Sequence, residues 1–403
     1  MGRRPKVVIG HPMMGRGGSE SNVMWLLEAL KQDCDVSVAT TRGWDLDTLN
    51  TFYGTSVRPE EVRVRIAPTL LPARVDAAAL RGALYQRFAR HIAGEYDLRI
   101  SADNPTDWGC PAVHFIADFS WDRSIREAFD PLPPGRFYRD SHLRRLYLKT
   151  ASAIAQSSGR AVLHEDLVIA NSAWSAKVLD RRFCLRNAPV VFPAVWSRFP
   201  NVAWERKEQA FVAIGRISPE KRVERIISIL GGVRKRGHDI RLHLCGAIGQ
   251  DAYGCAVAQL CSNNRSWVIA EGEVTGYRKA RILTSCRFGI QARASEPFGI
   301  AVAEMVKAGA IVFTPGIGGQ AEIVDHPALT FDGEQDAVER ISRVIQDTAR
   351  QEELTIHLAK RAARFSAETF VRESRSLIAE FFAAQLSNNA VSPKLRPGAE
   401  ALD

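Results

Sequence analysis

The chain has 403 residues, 46% of them hydrophobic, 8% aromatic and 25% charged. That length exceeds what one compact core holds and suits two ordinary domains, and the composition excludes a largely disordered or fibrous chain. The formal net charge of +9, from 54 basic and 45 acidic side chains, is shared between the halves, 26 against 21 in residues 1–190 and 28 against 24 after them. Without a basic tail to act as an arm, no nucleic-acid partner is expected. The longest apolar runs, 300–306 and 308–313, are interrupted by Glu304, Lys307 and Gly309, well short of the roughly 20 residues a bilayer span needs. After the basic start Arg3-Arg4-Pro5-Lys6 the apolar stretch Val7 to Gly10 is too short for a signal-peptide core, so a cytoplasmic location is expected. Seven cysteines with no Cys-x-x-Cys pair argue against a disulfide framework or a zinc site and for small buried side chains.

In chain order, Lys6 to Gly10 reads as a strand and Ser19 to Lys31 as a helix, followed by strands at Asp35 to Ala39, Leu98 to Ala102, Ala112 to Ile116 and Leu167 to Ala170. Such alternation is the pattern of crossover units on a parallel sheet. It restarts with a strand at Phe211 to Ile214, a helix from Pro219 to Arg236, strands at Ile240 to Cys245, Trp267 to Ile269 and Phe288 to Gln291, a helix from Pro297 to Ala308 and a strand at Ile311 to Thr314. Pro189, Pro193 and Pro200 put the seam near 189–200, because proline denies helix continuation and central-strand pairing. The expected fold class is α/β, with two Rossmann-like domains, 1–190 and 191–364, facing a central cleft. A C-terminal helix, 365–386, carries Phe370, Leu377, Ile378 and Phe381 on one stripe and crosses back to the first domain. The tail 387–403, with two prolines, is read as mobile. In open α/β sheets ligands bind at the carboxyl ends of the strands.

The strongest local pattern is Ser295-Glu296-Pro297-Phe298-Gly299-Ile300 leading to Glu304. Proline at a first helical position places Glu296 at the cap and aims the amides of Phe298, Gly299 and Ile300 out of the helix N-terminus, an end that binds anions. Two carboxylates eight residues apart then lie about 12 Å apart on similar sides of the helix and suit the two ends of a sugar diphosphate. The spacing alone reads equally as an acidic helix start favoured by the dipole. Gly215-Arg216-Ile217-Ser218-Pro219-Glu220-Lys221 brings Arg216 and Lys221 to the same rim, suited to a leaving diphosphate, although Glu220 could simply pair Arg216. Gly15-Arg16-Gly17-Gly18-Ser19-Glu20 follows the first strand as a phosphate-approaching turn or a plain flexible one, and matches neither the Walker nor the dinucleotide fingerprint. His114, read as a strand-end histidine at the cleft, is either a proton carrier or a satisfied structural residue. Asp45-Leu46-Asp47 has the letters of a metal motif but lies in an early loop, where a structural or acceptor-side role is the better reading.

Together these segments, with Ala170-Asn171-Ser172-Ala173-Trp174-Ser175 and Gly318-Gly319-Gln320-Ala321-Glu322, resemble the family-4 retaining glycosyltransferases of the twin-Rossmann (GT-B) type from about Lys6 to about Phe382. The resemblance implies transfer of a hexose from a nucleotide-diphosphate sugar, GDP-mannose or a UDP-sugar, to a glycan or glycolipid acceptor. Residues 1–190 would bind the acceptor and 191–364 the donor. It implies that Glu296 contacts the transferred sugar, Glu304 the ribose, and Arg216, Lys221 and the amides of Phe298, Gly299 and Ile300 the diphosphate, with Gly17 and Gly18 facing them. His114 would orient the sugar, and no metal or other cofactor is implied. Trp44 to Asn50, Phe52 to Thr55 and Val113-His114-Phe115 look nearest to the mannosyltransferase branch acting on lipid-linked sugars.

One local concentration of charge, Arg123, Arg126, Arg136, Arg139, Arg144, Arg145 and Lys149 against Glu127, Asp130 and Asp140, interleaves with Phe137, Leu143, Leu146, Tyr147 and Ile154. It reads either as a peripheral contact with anionic membrane or as a crossover helix with a solvated face. The rival readings of the whole chain are a non-catalytic membrane-surface or nucleic-acid binding protein on the same fold, and a nucleotide-sugar epimerase or sugar phosphorylase.

Overall fold

The computed structural model describes residues 3–68, 77–122, 124–125, 142–155, 162, 164–195 and 198–391. Their elements run β1 (Lys6–Gly10), α1 (Gly18–Leu30), β2 (Asp35–Thr40), α2 (Leu46–Tyr53), β3 (Val62–Ile66), α3 (Ala78–Ile92), β4 (Leu98–Ser101), β5 (Val113–Ile116), α4 (His142–Ala155), β6 (Leu167–Ala170) and α5 (Ala173–Phe183). The second series is β7 (Glu208–Ile214), α6 (Val223–Lys235), β8 (Arg241–Cys245), α7 (Ala252–Asn263), β9 (Val268–Gly272), α8 (Gly276–Ser285), β10 (Cys286–Ile290), α9 (Ile300–Lys307), β11 (Ile311–Pro315), α10 (Gly319–Val324), β12 (Thr330–Phe331), α11 (Gly333–Gln346), α12 (Thr348–Ala362) and α13 (Ala367–Val391).

Each series forms a six-stranded sheet, in the orders β3-β2-β1-β4-β5-β6 and β9-β8-β7-β10-β11-β12, and every strand pair is parallel. The two orders are the same, and each reverses direction beside its first strand, between β1 and β4 and between β7 and β10. Helices packed on a parallel sheet bury both of its faces, which is why central strands such as Val7-Val8-Ile9 and Phe211-Val212 are apolar without alternation. The two cores are separate clusters, one around Val7, Ile9, Val38, Ile100 and Phe115 and one around Phe211, Leu242, Phe288, Ile311 and Phe313.

The C-terminal helix joins the halves. α13 leaves the second half and buries Phe370 and Ile378 in the first core, with Leu377 and Phe381 packed against it, and the Phe370 ring lies 6.1 Å from that of Phe115. The helix runs to Val391, into the segment read from sequence as a mobile tail. Ser387 to Val391 lacks proline, and Pro393 lies two residues beyond. Residues 392–403 lie outside the described part.

Several helices begin where polar caps predict. Asp45 accepts from the Thr48 amide at 3.1 Å and opens α2, so the Asp45-Leu46-Asp47 letters belong to a helix cap. Ser172 caps α5 and Asp251 caps α7. The helix expected from Pro219 is interrupted: Pro219–Lys221 is a 3-10 turn, Arg222 takes a left-handed conformation at φ 52°, and the Val223 amide bonds to the Tyr253 hydroxyl at 3.0 Å. All seven cysteines are free. Cys245, Cys261 and Cys286 are buried, Cys34 and Cys110 half-buried, and Cys184 and Cys255 exposed.

Candidate functional site

At the reversal point of the second sheet the loops after β7 and β10 face each other. The Lys221 ammonium donates to Glu296 Oε2 at 2.9 Å, and Arg293 Nη1 and Gln291 Nε2 reach the same oxygen at 3.2 and 3.3 Å. Burial alone would push the Glu296 carboxyl up, yet the charges of Lys221 and Arg293 hold it below the usual carboxylate range. Arg216 is 82% exposed and lies 3.6 Å from Glu220, so the local pair and a position on the rim coexist.

The helix expected from Pro297 begins three residues later. Gly299, at φ 104°, caps α9 at Ile300, a left-handed conformation that glycine adopts at little cost. Glu296 therefore precedes the helix and does not cap it. Instead it bridges Gly318, while the Pro297 carbonyl accepts from the Ser172 hydroxyl at 2.6 Å. The first backbone bond of the helix is from Ala303 to Gly299 at 3.1 Å, so the amides before it are not used within the helix. Phe298 contributes backbone only, because its ring packs in the core 5.9 Å from Phe192 and 5.6 Å from Phe365. One side of the loop is closed by Gly319, where an added Cβ would meet the Pro297 oxygen at 2.1 Å. Glu304 lies within α9, and Lys279 of α8 donates to its Oε1 at 2.5 Å.

The first half meets this site at Gly18, next to Gly17. An added Cβ on Gly18 would stand 3.0 Å from Ile300 Cδ1, which places the turn after β1 against the start of α9. The Tyr53 hydroxyl holds this turn by donating to the Gly17 carbonyl at 2.8 Å. Across the same gap Arg16 pairs with Glu273 at 3.3 Å, and Arg16 and Lys279 each lie 5.8 Å from the centre of the Phe52 ring.

His114 does not join them. It is the second residue of β5 rather than its end, 1% exposed, with Nδ1 at 3.0 Å from Ser101 Oγ and Nε2 at 3.1 Å from Asp166 Oδ2. Ser101 also accepts from the Trp108 indole at 3.0 Å, and Asp166 from the Ala112 amide at 2.8 Å. The imidazole thus ties β4, β5 and the approach to β6 inside the sheet. Both ring nitrogens are engaged there, and neither is left for a sugar.

Other groups lie at the carboxyl ends of the first sheet. His11 follows β1, Asp103 follows β4 and Asp118 follows β5. His11 Nε2 is 3.1 Å from Ser19 Oγ, whose neighbour Glu20 opens α1. Burial and the Asp118 charge push the Asp103 carboxyl up to about 7, against a hydrogen bond from Ser19, while burial lowers the His11 imidazole against the pull of Glu20. Aspartates two residues past consecutive strands at a reversal point were the available signal.

Residues 196–364 match the family model described as Glycosyl transferases group 1. No curated protein matches the chain. Solved structures similar over its length include HepE from Anabaena in complex with UDP and glucose, at 16% identity, a TM-score of 0.64 and coverage of 93% of this chain and 100% of that one. A sucrose-phosphate synthase from Thermosynechococcus elongatus gives 17% identity and a TM-score of 0.68, covering 94% and 100%. WaaG, a glycosyltransferase involved in lipopolysaccharide biosynthesis, gives 15%, 0.67, 92% and 99%. The shared architecture is the two-domain GT-B glycosyltransferase fold.

Proposed function

We propose that this chain transfers a hexose, with retention of configuration, from a nucleotide-diphosphate sugar held on the second half to a glycan or glycolipid acceptor entering over the first. The observation that carries this reading is the meeting of Lys221, Arg293, Glu296 and the amino end of α9 at one reversal point, with Gly18 of the first half against the start of that helix. Positive groups fixed where a leaving diphosphate gathers charge lower the barrier without reorganising. In the proposed step the acceptor oxygen bonds to the anomeric carbon as the bond to the diphosphate breaks. The acceptor proton passes to the departing phosphate oxygen on the same face. Lys221, Arg216 and the amides from Phe298 to Ile300 take the diphosphate, Glu296 orients the sugar and Glu304 the ribose. These cations and amides supply the positive charge, so no metal is required.

A UDP-sugar is the favoured donor, because HepE was crystallised with UDP and glucose; the GDP-mannose reading rests on the first-half segments around Phe52 and Val113. A thermal-shift screen against uridine, guanosine and adenosine diphosphates, followed by transfer assays with the sugar of the base that binds, tests both. No shift with any nucleotide and no transfer would favour the binding-protein reading, and a changed sugar without transfer would favour the epimerase.

A lipid-linked acceptor is supported by α4. Its Ala151 and Ala155 pack beside Ala83 of α3, and the Leu80 amide donates to the Tyr147 hydroxyl at 3.2 Å, so one side is core. Leu146 is 62% exposed beside exposed Arg145 and Lys149. The rest of that charged segment, 123 with 126–141, lies outside the described residues. No helix among the described residues is long and apolar enough to cross a membrane, so attachment would be peripheral, at about 1 kcal/mol per basic residue near an anionic surface. Sedimentation with anionic vesicles at low and high salt decides it: absence of binding at low salt removes the attachment.

A further inference from the structure

The two halves are joined at the amino end of α5 by bonds between residues far apart in the chain. Glu322 of α10 accepts from the Ala173 amide at 2.9 Å with one carboxylate oxygen and from the Trp174 amide at 2.5 Å with the other. Helix amides of the first turn have no partner within the helix, and a carboxylate there is favoured by the dipole as well. The third such amide, Ser175, bonds at 3.0 Å to the Ser172 hydroxyl oxygen, and that hydroxyl donates to the Pro297 carbonyl. The Ser175 hydroxyl lies 3.2 Å from the same carbonyl and donates to Asn171 at 2.7 Å, while the Asn171 amide reaches the Ala117 carbonyl, just past β5, at 2.8 Å. On the far side the Gly319 amide donates to the Glu296 carbonyl at 2.7 Å. Ser172, Ser175 and Gln320 are fully buried. A continuous set of bonds thus runs from the end of β5 to the backbone of Glu296.

We propose that Ser172 and Glu322 form an interdomain positioning element, which sets the Glu296 loop in register with the first sheet. The geometry supports a division of labour. Lys221, Glu304 and the α9 amides all belong to the second half, so on the proposed reading nucleotide affinity depends little on this joint. The register between Glu296 and an acceptor on the first sheet depends on this joint. The effect on transfer rests on the glycosyltransferase reading; the effect on the relative placement of the halves does not.

The test uses the full chain with Ser172→Ala, Glu322→Ala and Glu322→Gln. Distances between spin labels, carried on non-natural side chains at Glu60 in the first half and Asp239 in the second, are measured for each by pulsed electron resonance. Isothermal titration with uridine and guanosine diphosphates and steady-state transfer kinetics accompany them. Expected are a broadened distance distribution in Ser172→Ala and Glu322→Ala, nucleotide affinity within twofold of the parent, and kcat lower by tenfold or more with the donor KM little changed. Glu322→Gln, which keeps one acceptor oxygen, restores part of both the distribution and kcat. An unbroadened distribution in both alanine variants overturns the proposal, as does a loss of kcat matched by equal loss of nucleotide affinity. If the parent transfers from no donor while the alanine variants still broaden the distribution, the glycosyltransferase reading fails and the joint stands.

Discussion

Lys221 and Glu296 are 75 residues apart in the chain and 2.9 Å apart in the structure, and the pair closes the reversal point of the second sheet. It is largely sheltered, with the side chains 21% and 15% exposed, so removing one partner strands a charge. Replacing Lys221 by Ala is expected to lower the transfer rate by about 10²- to 10³-fold, the loss typical of one preorganised stabiliser of developing charge. Single-turnover kinetics at saturating donor measure it, and a rate within threefold of the parent would remove Lys221 from the diphosphate site.

Glu304 shares its carboxylate with Lys279. If that carboxylate holds the ribose, Glu304→Ala should raise the apparent donor constant by at least tenfold, since a hydrogen bond to a charged group contributes about 1.5–3 kcal/mol. The check is the donor KM together with nucleotide titration. A variant with an unchanged constant would sink the nucleotide assignment.

Asp103 gives a pH dependence with a definite sign. Its carboxyl moves from 3.8 to about 7, by burial first and then by the charge of Asp118. A value raised in the folded state means that the stability linked to the neutral acid is fully present below the ordinary carboxylate range and is lost as pH rises to about 7. Asp103→Asn should therefore flatten the fall in Tm between pH 4 and 7 and melt several degrees above the parent at pH 8. A parallel pair of Tm curves would show that Asp103 ionises normally.

Metal removal separates this site from one built on a divalent cation. With Lys221, Arg216 and helix amides facing the diphosphate, transfer should persist in excess EDTA within about twofold, because fixed cations and dipoles do the metal's electrostatic work. Loss of activity restored by magnesium or manganese would contradict the proposed chemistry.

The layered plan is legible in the residue pattern. Alternating β-branched runs and helical patterns specify parallel strands with crossovers, because side-chain periodicity and local caps act over a few residues. The stripe of Phe370, Leu377, Ile378 and Phe381 likewise marked α13 and its buried side. Two strands went unread: β3, an edge strand with Arg63 and Arg65 between its apolar residues, and β12, only two residues long. Tertiary structure alone decided which polar groups are free to act. His114 carries the right chemistry for a cleft, but Asp166, 52 residues on, takes its second nitrogen. Glu296 has the spacing of a helix cap, but Ser172, 125 residues before Pro297, holds the carbonyl that follows it and Gly299 starts the helix instead. Hydrogen bonds and desolvation depend on neighbours in space, and at each of these sites the deciding neighbour comes from a distant part of the chain, beyond the reach of any local pattern.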